Sequence, residues 1–161
     1  MKSDVIYRIK ELLLLNNQTI STVESMTAGG IAHRLTSIEG SSLFFTSALV
    51  TYSISAKLKL LSLEKDYFSK VSVYSLQCAE KMAHQGLKKL KSDYCLSISG
   101  IASAIKEEPE LAVGTIFLGL ATRKSVISKS TVVEGSNRSK IRENAICAAL
   151  NFFEENMNQS R

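Results

Sequence analysis

The sequence predicts an α/β fold, a three-layer α/β/α sandwich with a mixed, mostly parallel sheet. Three observations carry that expectation. Short β-branched or apolar runs at 19–23, 48–52 and 94–99 are separated by segments whose apolar residues recur at helical spacing. Two longer apolar runs, 113–122 and 126–133, meet at Arg123-Lys124 in the manner of an antiparallel hairpin. The chain of 161 residues is 45% hydrophobic and 22% charged, has one proline and contains no Pro/Gly/Ser-rich linker, which suits a single domain over 1–161. Strands separated by helices, plus one hairpin, imply a mixed sheet covered by helices on both sides.

Taken in order, Val5, Ile6, Ile9, Leu12 and Leu13 repeat at helical spacing after Ser3-Asp4, and Asn16-Asn17 can end that covering helix. The strand at 19–23 leads through a tight loop into 31–35, which has the spacing of a short amphipathic helix. A polar turn follows at 37–42, then a buried strand at 48–52 and a short helix at 55–61 that carries Lys57. Ser72 is expected to cap a long helix running to about Leu90, with Leu76, Ala79, Met82, Ala83 and Leu87 on its inner face. Gly100 breaks the 94–99 strand, and 101–112 reads as an irregular, acid-containing loop with Pro109. A last helix at about 139–155 turns Ile141, Ala145, Ala148, Ala149 and Phe152 inward.

Composition excludes several function classes. The longest apolar run, Leu12 to Leu15, is far short of the ~20 residues of a membrane span, and Met1-Lys2-Ser3-Asp4 is not followed by a signal-peptide core. A cytoplasmic protein with no membrane partner is expected. Cys78, Cys95 and Cys147 lie far apart with no C-x-x-C pair, so buried, reduced thiols are expected and not a disulfide framework or zinc site. His33 and His84 are the two histidines, too few for a metal site, and His33 is expected on a helix surface and not as a partner of Ser25. The net charge is +5, but the basic residues are not interleaved with stacking aromatics, which argues against a nucleic-acid partner. Lys88, Lys89 and Lys91 read as a solvated helix C-terminus.

The stretch Glu24-Ser25-Met26-Thr27-Ala28-Gly29-Gly30 is where chemistry is expected. Ser25 sits at the C-terminal end of a strand with a helix N-terminus behind it, where backbone N–H groups favour a phosphate or a developing oxyanion. Gly29-Gly30 permits positive φ or close backbone approach. The plainer alternative is a strand-to-helix turn with Ser25 or Thr27 as an N-cap. No G-x-G-x-x-G, G-x-x-x-x-G-K or H-E-x-x-H occurs. A serine needs a base to become a nucleophile, and a lysine of depressed pKa can serve. Lys57 is the candidate, because it follows a strand ending at Tyr52 and neighbouring strands can present their ends to one crevice. The alternative for Lys57 is an exposed helix lysine.

Six blocks then carry a family resemblance: Glu24-Ser25-Met26-Thr27-Ala28-Gly29; Gly40-Ser41-Ser42; Val50-Thr51-Tyr52-Ser53-Ile54-Ser55-Ala56-Lys57; Ser99-Gly100-Ile101-Ala102; Val113-Gly114-Thr115; and Asn137-Arg138 with Arg142. In this order they resemble the signature of the nicotinamide-nucleotide amidohydrolases, also called the CinA C-terminal domain family. The resemblance extends over nearly the whole chain. It implies hydrolysis of the carboxamide of nicotinamide mononucleotide to the acid and ammonia, with no metal or other cofactor. On the matching positions it makes Ser25 the nucleophile, Lys57 its general base and Tyr52 a hydroxyl that orients or relays the proton. It assigns substrate contacts to Thr27, Gly29, Gly30, Ser41, Ser42, Ser99, Gly100, Ile101 and Ala102. Backbone N–H groups around Met26 to Gly30 are the candidate oxyanion donors. Arg138 and Arg142 are the candidate phosphate partners, against the alternative of surface arginines on the last helix. A homo-oligomer, most simply a dimer, is the expected assembly.

The chain departs from the signature at Met26 (cysteine in the family), Ala28 (glycine), Ile54 (asparagine) and Ser103-Ala104-Ile105-Lys106 (a Gly-Pro-Gly-Gly loop). It is also expected to lack the N-terminal domain that some members carry. Two classes of function therefore stand at this point: an active amidohydrolase, on this or another small amide, and a degenerate member that binds a nucleotide or a protein without turnover.

Overall fold

A computed structural model describes residues 4–106 and 108–157. Its sheet is built from β1 (Ile20–Glu24), β2 (Phe45–Val50), β3 (Tyr94–Gly100), β4 (Thr115–Ala121) and β5 (Val126–Val132), in the order β2-β1-β3-β4-β5. β1 pairs in parallel with β2 and with β3, whereas β3 with β4 and β4 with β5 are antiparallel. Four strands thus run one way and β4 alone is reversed. The burial of the strands explains their composition. β1, β3 and β4 are covered on both faces and read as mostly apolar or small residues, while the edge strands β2 and β5 hold only half-buried and exposed positions.

Among the described residues there are six α-helices: α1 (Val5–Leu15), α2 (Gly30–Leu35), α3 (Ile54–Leu60), α4 (Tyr67–Lys70), α5 (Leu76–Leu90) and α6 (Arg138–Met157). On one face of the sheet Ile6, Ile9, Leu35, Ile141, Ala149 and Phe153 pack on Ile20, Leu96 and Ile98. On the other, Cys78 and Met82 of α5 pack on Val23 and Cys95. The period-two alternation of β1 and β3 divides these two cores, which are the outer layers of an α/β/α arrangement.

The differences from expectation have local causes. β2 covers 45–50 and not 48–52, and Tyr52 lies beyond it with 56% of its surface exposed, because this strand is an edge and has one neighbour to bury it. Ser75, not Ser72, caps α5: its hydroxyl accepts from the Cys78 amide, while Ser72 accepts from the Tyr74 amide one turn earlier. Both serines carry the same capping chemistry, and Leu76, expected inside, is exposed. α6 starts at Arg138 and runs to Met157, one residue earlier and two later than the periodicity suggests, and Ala148 is partly buried against the core.

Candidate active site

The parallel pairing of β2, β1 and β3 brings three strand ends to one crevice. Ser25 follows β1, Thr51 and Tyr52 follow β2, and Ser99-Gly100 closes β3. Two amides extend the pairing past the strands: Ser25 N–H donates to Ile98 O at 3.0 Å and Thr51 N–H to Glu24 O at 2.8 Å. The backbone of the serine is therefore fixed from both sides.

Glu24, wholly buried, carries its side chain beneath the turn. Its Oε1 accepts from Thr22 Oγ1 at 3.1 Å and the Ala32 amide at 2.8 Å. Its Oε2 accepts from Thr27 Oγ1 at 2.7 Å and from the amides of Gly29 and Ile31 at 3.1 and 3.0 Å. The Gly30 amide donates to Thr27 O. The start of α2, expected from sequence to receive a phosphate or an oxyanion, is thus already occupied by the protein's own carboxylate. Ala28 N–H is also engaged, on Ser25 O at 3.0 Å. Among the described residues the amides of Met26 and Thr27 make no hydrogen bond, and both residues are buried.

Gly29 takes φ 90, as its residue type permits, but Ala28 sits at φ 49. For a residue with a Cβ the left-handed region costs roughly 1–2 kcal/mol. The departure from glycine at 28 is therefore a strained one.

Lys57 arrives from α3, whose first turn is capped by Ser53 accepting from the Ala56 amide at 3.1 Å. Its Nζ lies 2.9 Å from Ser25 Oγ and 2.7 Å from Thr51 O. The side chain is 3% exposed and Ser25 8%. No carboxylate pairs with Lys57 among the described residues. Burial lowers its pKa from the ordinary 10.5, and the one opposing influence is the Cys78 thiol, itself pushed up to about 11 by burial and so uncharged at neutral pH. Burial therefore favours the neutral amine over its ordinary state in water.

Above this pair opens a cleft of about 270 Å³. Met26 and Gly100 line its floor with Ser25 and Lys57. A Cβ on Gly100 would lie 2.6 Å from Thr115 O and 2.7 Å from Met26 Sδ, so glycine there is a matter of space. Ile101, Ala102 and the loop through Ile105 form one wall, Val73 and Tyr74 another. At the mouth Arg138 Nη2 donates to the Tyr52 hydroxyl at 2.8 Å and Nη1 to Ser103 Oγ at 3.0 Å. These are two neutral acceptors on two separate loops. Among the described residues the lining contains no Asp or Glu.

Eight of the residues singled out from sequence meet in this cleft: Ser25, Tyr52, Lys57, Ser99, Gly100, Ile101, Ala102 and Arg138. Ser99 lines it while its hydroxyl donates to Val73 O at 2.8 Å, which ties the segment before α5 to the sheet. Six others lie outside the lining. Thr27 bonds Glu24, Gly29 and Gly30 form the turn behind, and Ser41 and Ser42 belong to a separate single 3₁₀ turn, Ser41–Leu43. Arg142 donates from Nη2 to Thr27 O at 2.9 Å, bracing the back of the turn, which corrects the expectation that it faces a phosphate. Tyr52 lines the same cleft as Ser25 and Lys57, and its hydroxyl accepts from Arg138. His33 is exposed on α2. Sequence reasoning quoted Glu24 in the first block but gave it no role; its signal was an acidic residue closing a strand with no other charged residue. It also missed Tyr74, for which periodicity holds no signal, whereas Ile54, a departure from the signature, lines the cleft. Among the described residues no group of three His, Cys, Asp or Glu side chains is arranged to hold a metal ion, and no helix is long and apolar enough to cross a membrane.

Residues 2–157 match the family model described as CinA C-terminal domain. A CinA-like protein of Flavobacterium psychrophilum is 40% identical over 143 residues, covering 89% of this chain and 34% of that protein. A CinA-like protein of Endomicrobium trichonymphae is 37% identical over 142 residues, covering 88% and 33%. The chain thus spans about a third of the length of these curated relatives. Among solved structures, the competence damage-inducible protein A of Klebsiella pneumoniae superposes with a TM-score of 0.91 at 22% identity, covering 98% of this chain and 97% of that one. The competence/damage inducible protein CihA of Agrobacterium tumefaciens gives 0.87 at 28% identity, covering 96% and 93%.

Proposed function

The chain belongs to the CinA C-terminal domain family, and on that premise we propose that it hydrolyses the carboxamide of nicotinamide mononucleotide to nicotinic acid mononucleotide and ammonia, a step of pyridine-nucleotide recycling. The observation that carries this reading is the buried Lys57 amine 2.9 Å from the Ser25 hydroxyl at the floor of a cleft. A neutral Lys57 accepts the Ser25 proton as Oγ bonds to the carboxamide carbon. The ammonium so formed then protonates the nitrogen as the C–N bond breaks, and ammonia leaves with Lys57 neutral again. Water next adds to the acyl-enzyme, giving its proton to Lys57, which returns it to Ser25 Oγ as the acid departs. The sum is amide plus water to acid plus ammonia. The Met26 amide, beside the nucleophile and unbonded, supports the developing oxyanion.

Recognition follows from the charges. Arg138 at the mouth is held by two hydroxyls, which a phosphate would replace with charge-assisted bonds. The pyridinium brings a positive charge towards Lys57, and a neighbouring cation lowers a lysine pKa further. Substrate binding and activation of the base then act in the same direction. A second reading keeps the Ser-Lys chemistry and changes the amide: Ser103, Ala104 and Ile105 line the cleft where the family signature carries a glycine-rich loop.

The test is ammonia release from nicotinamide mononucleotide by the parent, Ser25→Ala, Lys57→Ala and the double variant. Residues acting as one unit are not additive, so each variant is expected to lose nearly the same factor, about 10³–10⁴. Ammonia release from other carboxamides but not from the mononucleotide selects the second reading. Lys57→Ala retaining most of the parent rate while Ser25→Ala is dead removes Lys57 as the base.

A further inference from the structure

We propose that Glu24 is a positioning residue of the reaction, holding the turn after Ser25 so that the Met26 amide stays free for the oxyanion. The inference rests on the acyl-transfer reading of Ser25 and adds to it a residue which itself touches no substrate. Glu24 is fully buried and lies outside the cleft lining, so its effect must pass through the backbone. Its carboxylate gathers five donors from two hydroxyls and three amides, and these come from both sides of the nucleophile: Thr22 before it, Thr27, Gly29, Ile31 and Ala32 after it. It has no cation partner among the described residues. A buried carboxylate is costly unless fully hydrogen-bonded, and here the bonds go to the turn itself.

The selectivity of that bonding matters. A strand-to-helix turn offers several adjacent amides, and an isolated helix start would present them all to an incoming anion. Glu24 takes those of Gly29, Ile31 and Ala32, Ser25 O takes Ala28, and Thr27 O takes Gly30. What remains is at Met26 and Thr27, and buried backbone amides without a partner are uncommon unless a ligand completes them. Met26 adjoins Ser25 and lines the cleft. Arg142 braces the same turn from α6 through Thr27 O, so the segment is held on two sides.

Glu24→Gln keeps the shape and one acceptor but turns an NH₂ group towards amides that can only donate. The prediction is a shifted turn in a folded protein. A fluorophosphonate probe reads this without reference to the natural substrate, because its P=O occupies the oxyanion position as Ser25 attacks. Glu24→Gln is expected to lower the second-order labelling rate at Ser25 about 10²-fold, the scale of a lost oxyanion donor. The kcat for the mononucleotide should fall by a similar factor with KM little changed. Glu24→Gln that melts with the parent, labels at the parent rate and turns over at the parent kcat overturns the proposal. Should Glu24→Gln fail to fold, Thr22→Val removes a single donor to Oε1 in a strand that favours valine, and Thr22→Ser restores it. Slower labelling in the valine than in the serine variant supports the proposal, and equal labelling overturns it. A parent that labels at Ser25 yet frees no ammonia from the mononucleotide overturns the substrate reading, and the labelling ratio still decides the role of Glu24. A parent that does not label at Ser25 overturns both.

Discussion

The floor and the mouth of the cleft are built on different physical terms. At the floor Ser25, Lys57 and Glu24 are buried, and each is fixed by bonds to the central strands or to the turn that leaves them. At the mouth Tyr52, Ser103 and Arg138 are exposed and meet through single hydrogen bonds between side chains. Burial at the floor lowers the pKa of Lys57 and multiplies the effect of each contact. The mouth is solvated, so its contacts are weak singly and exchangeable for a ligand's. The chemistry is therefore assigned to the rigid part and recognition to the adaptable part, and substitutions in the two should differ in kind as well as size.

The largest effect belongs to the floor. Lys57→Met is expected to lose about 10³-fold or more in kcat, yet to be more stable than the parent by about 0.5–2 kcal/mol at neutral pH, because a buried amine is replaced by an apolar chain of similar length. The sign follows from proton linkage. The folded-state pKa of Lys57 lies below 10.5, so the unfolded chain binds more protons between those two values and the parent gains stability as pH rises through that window. The advantage of Lys57→Met should accordingly shrink as pH approaches 10.5. Thermal melts of both proteins across that range check it, and a variant less stable than the parent throughout would contradict the burial argument.

At the mouth the effect should be smaller and fall on binding. Arg138→Ala is expected to raise KM for the mononucleotide about tenfold or more, the scale of a charged hydrogen bond, with little change in kcat. Nicotinamide riboside, which lacks the phosphate, should be a poorer substrate for the parent and indifferent to the substitution. Equal kcat/KM for riboside and mononucleotide in the parent would remove the phosphate from recognition. The smallest effect belongs to the joint between the regions. Ala28→Gly relieves a positive φ and is expected to stabilise by about 1 kcal/mol, a Tm rise of about 2–4 °C for a chain of this size. An unchanged or lowered Tm would place the strain elsewhere.

The same division separates what the sequence disclosed from what it did not. The α/β layers were legible because β1, β3 and β4 carry buried runs and α5 a strongly sided helix, patterns that burial imposes on residue type. Ser25 and Lys57 were legible as a candidate pair, one at a strand end and the other after a neighbouring strand, although their 2.9 Å contact required the parallel register of β1 and β2. Arg142 was misplaced because Arg138 and Arg142 stand four residues apart on α6, and which of them reaches the cleft depends on how far that helix projects beyond the sheet. The anion-binding expectation for α2 failed through Glu24. A carboxylate bonded to amides five, seven and eight residues ahead is a tertiary arrangement, and no periodicity encodes it.

The claim on which the rest depends is that buried Lys57 serves Ser25 as a neutral base. Its most direct test is the pH dependence of kcat/KM for ammonia release from nicotinamide mononucleotide, in the parent and in Lys57→Ala. The parent should rise with pH through one ionisation of a group that must be deprotonated, lying below 10.5, because burial lowers the lysine pKa. Lys57→Ala should lose that limb together with the activity. A parent profile without an acidic limb, or a limb that persists unshifted in an active Lys57→Ala, would contradict the claim.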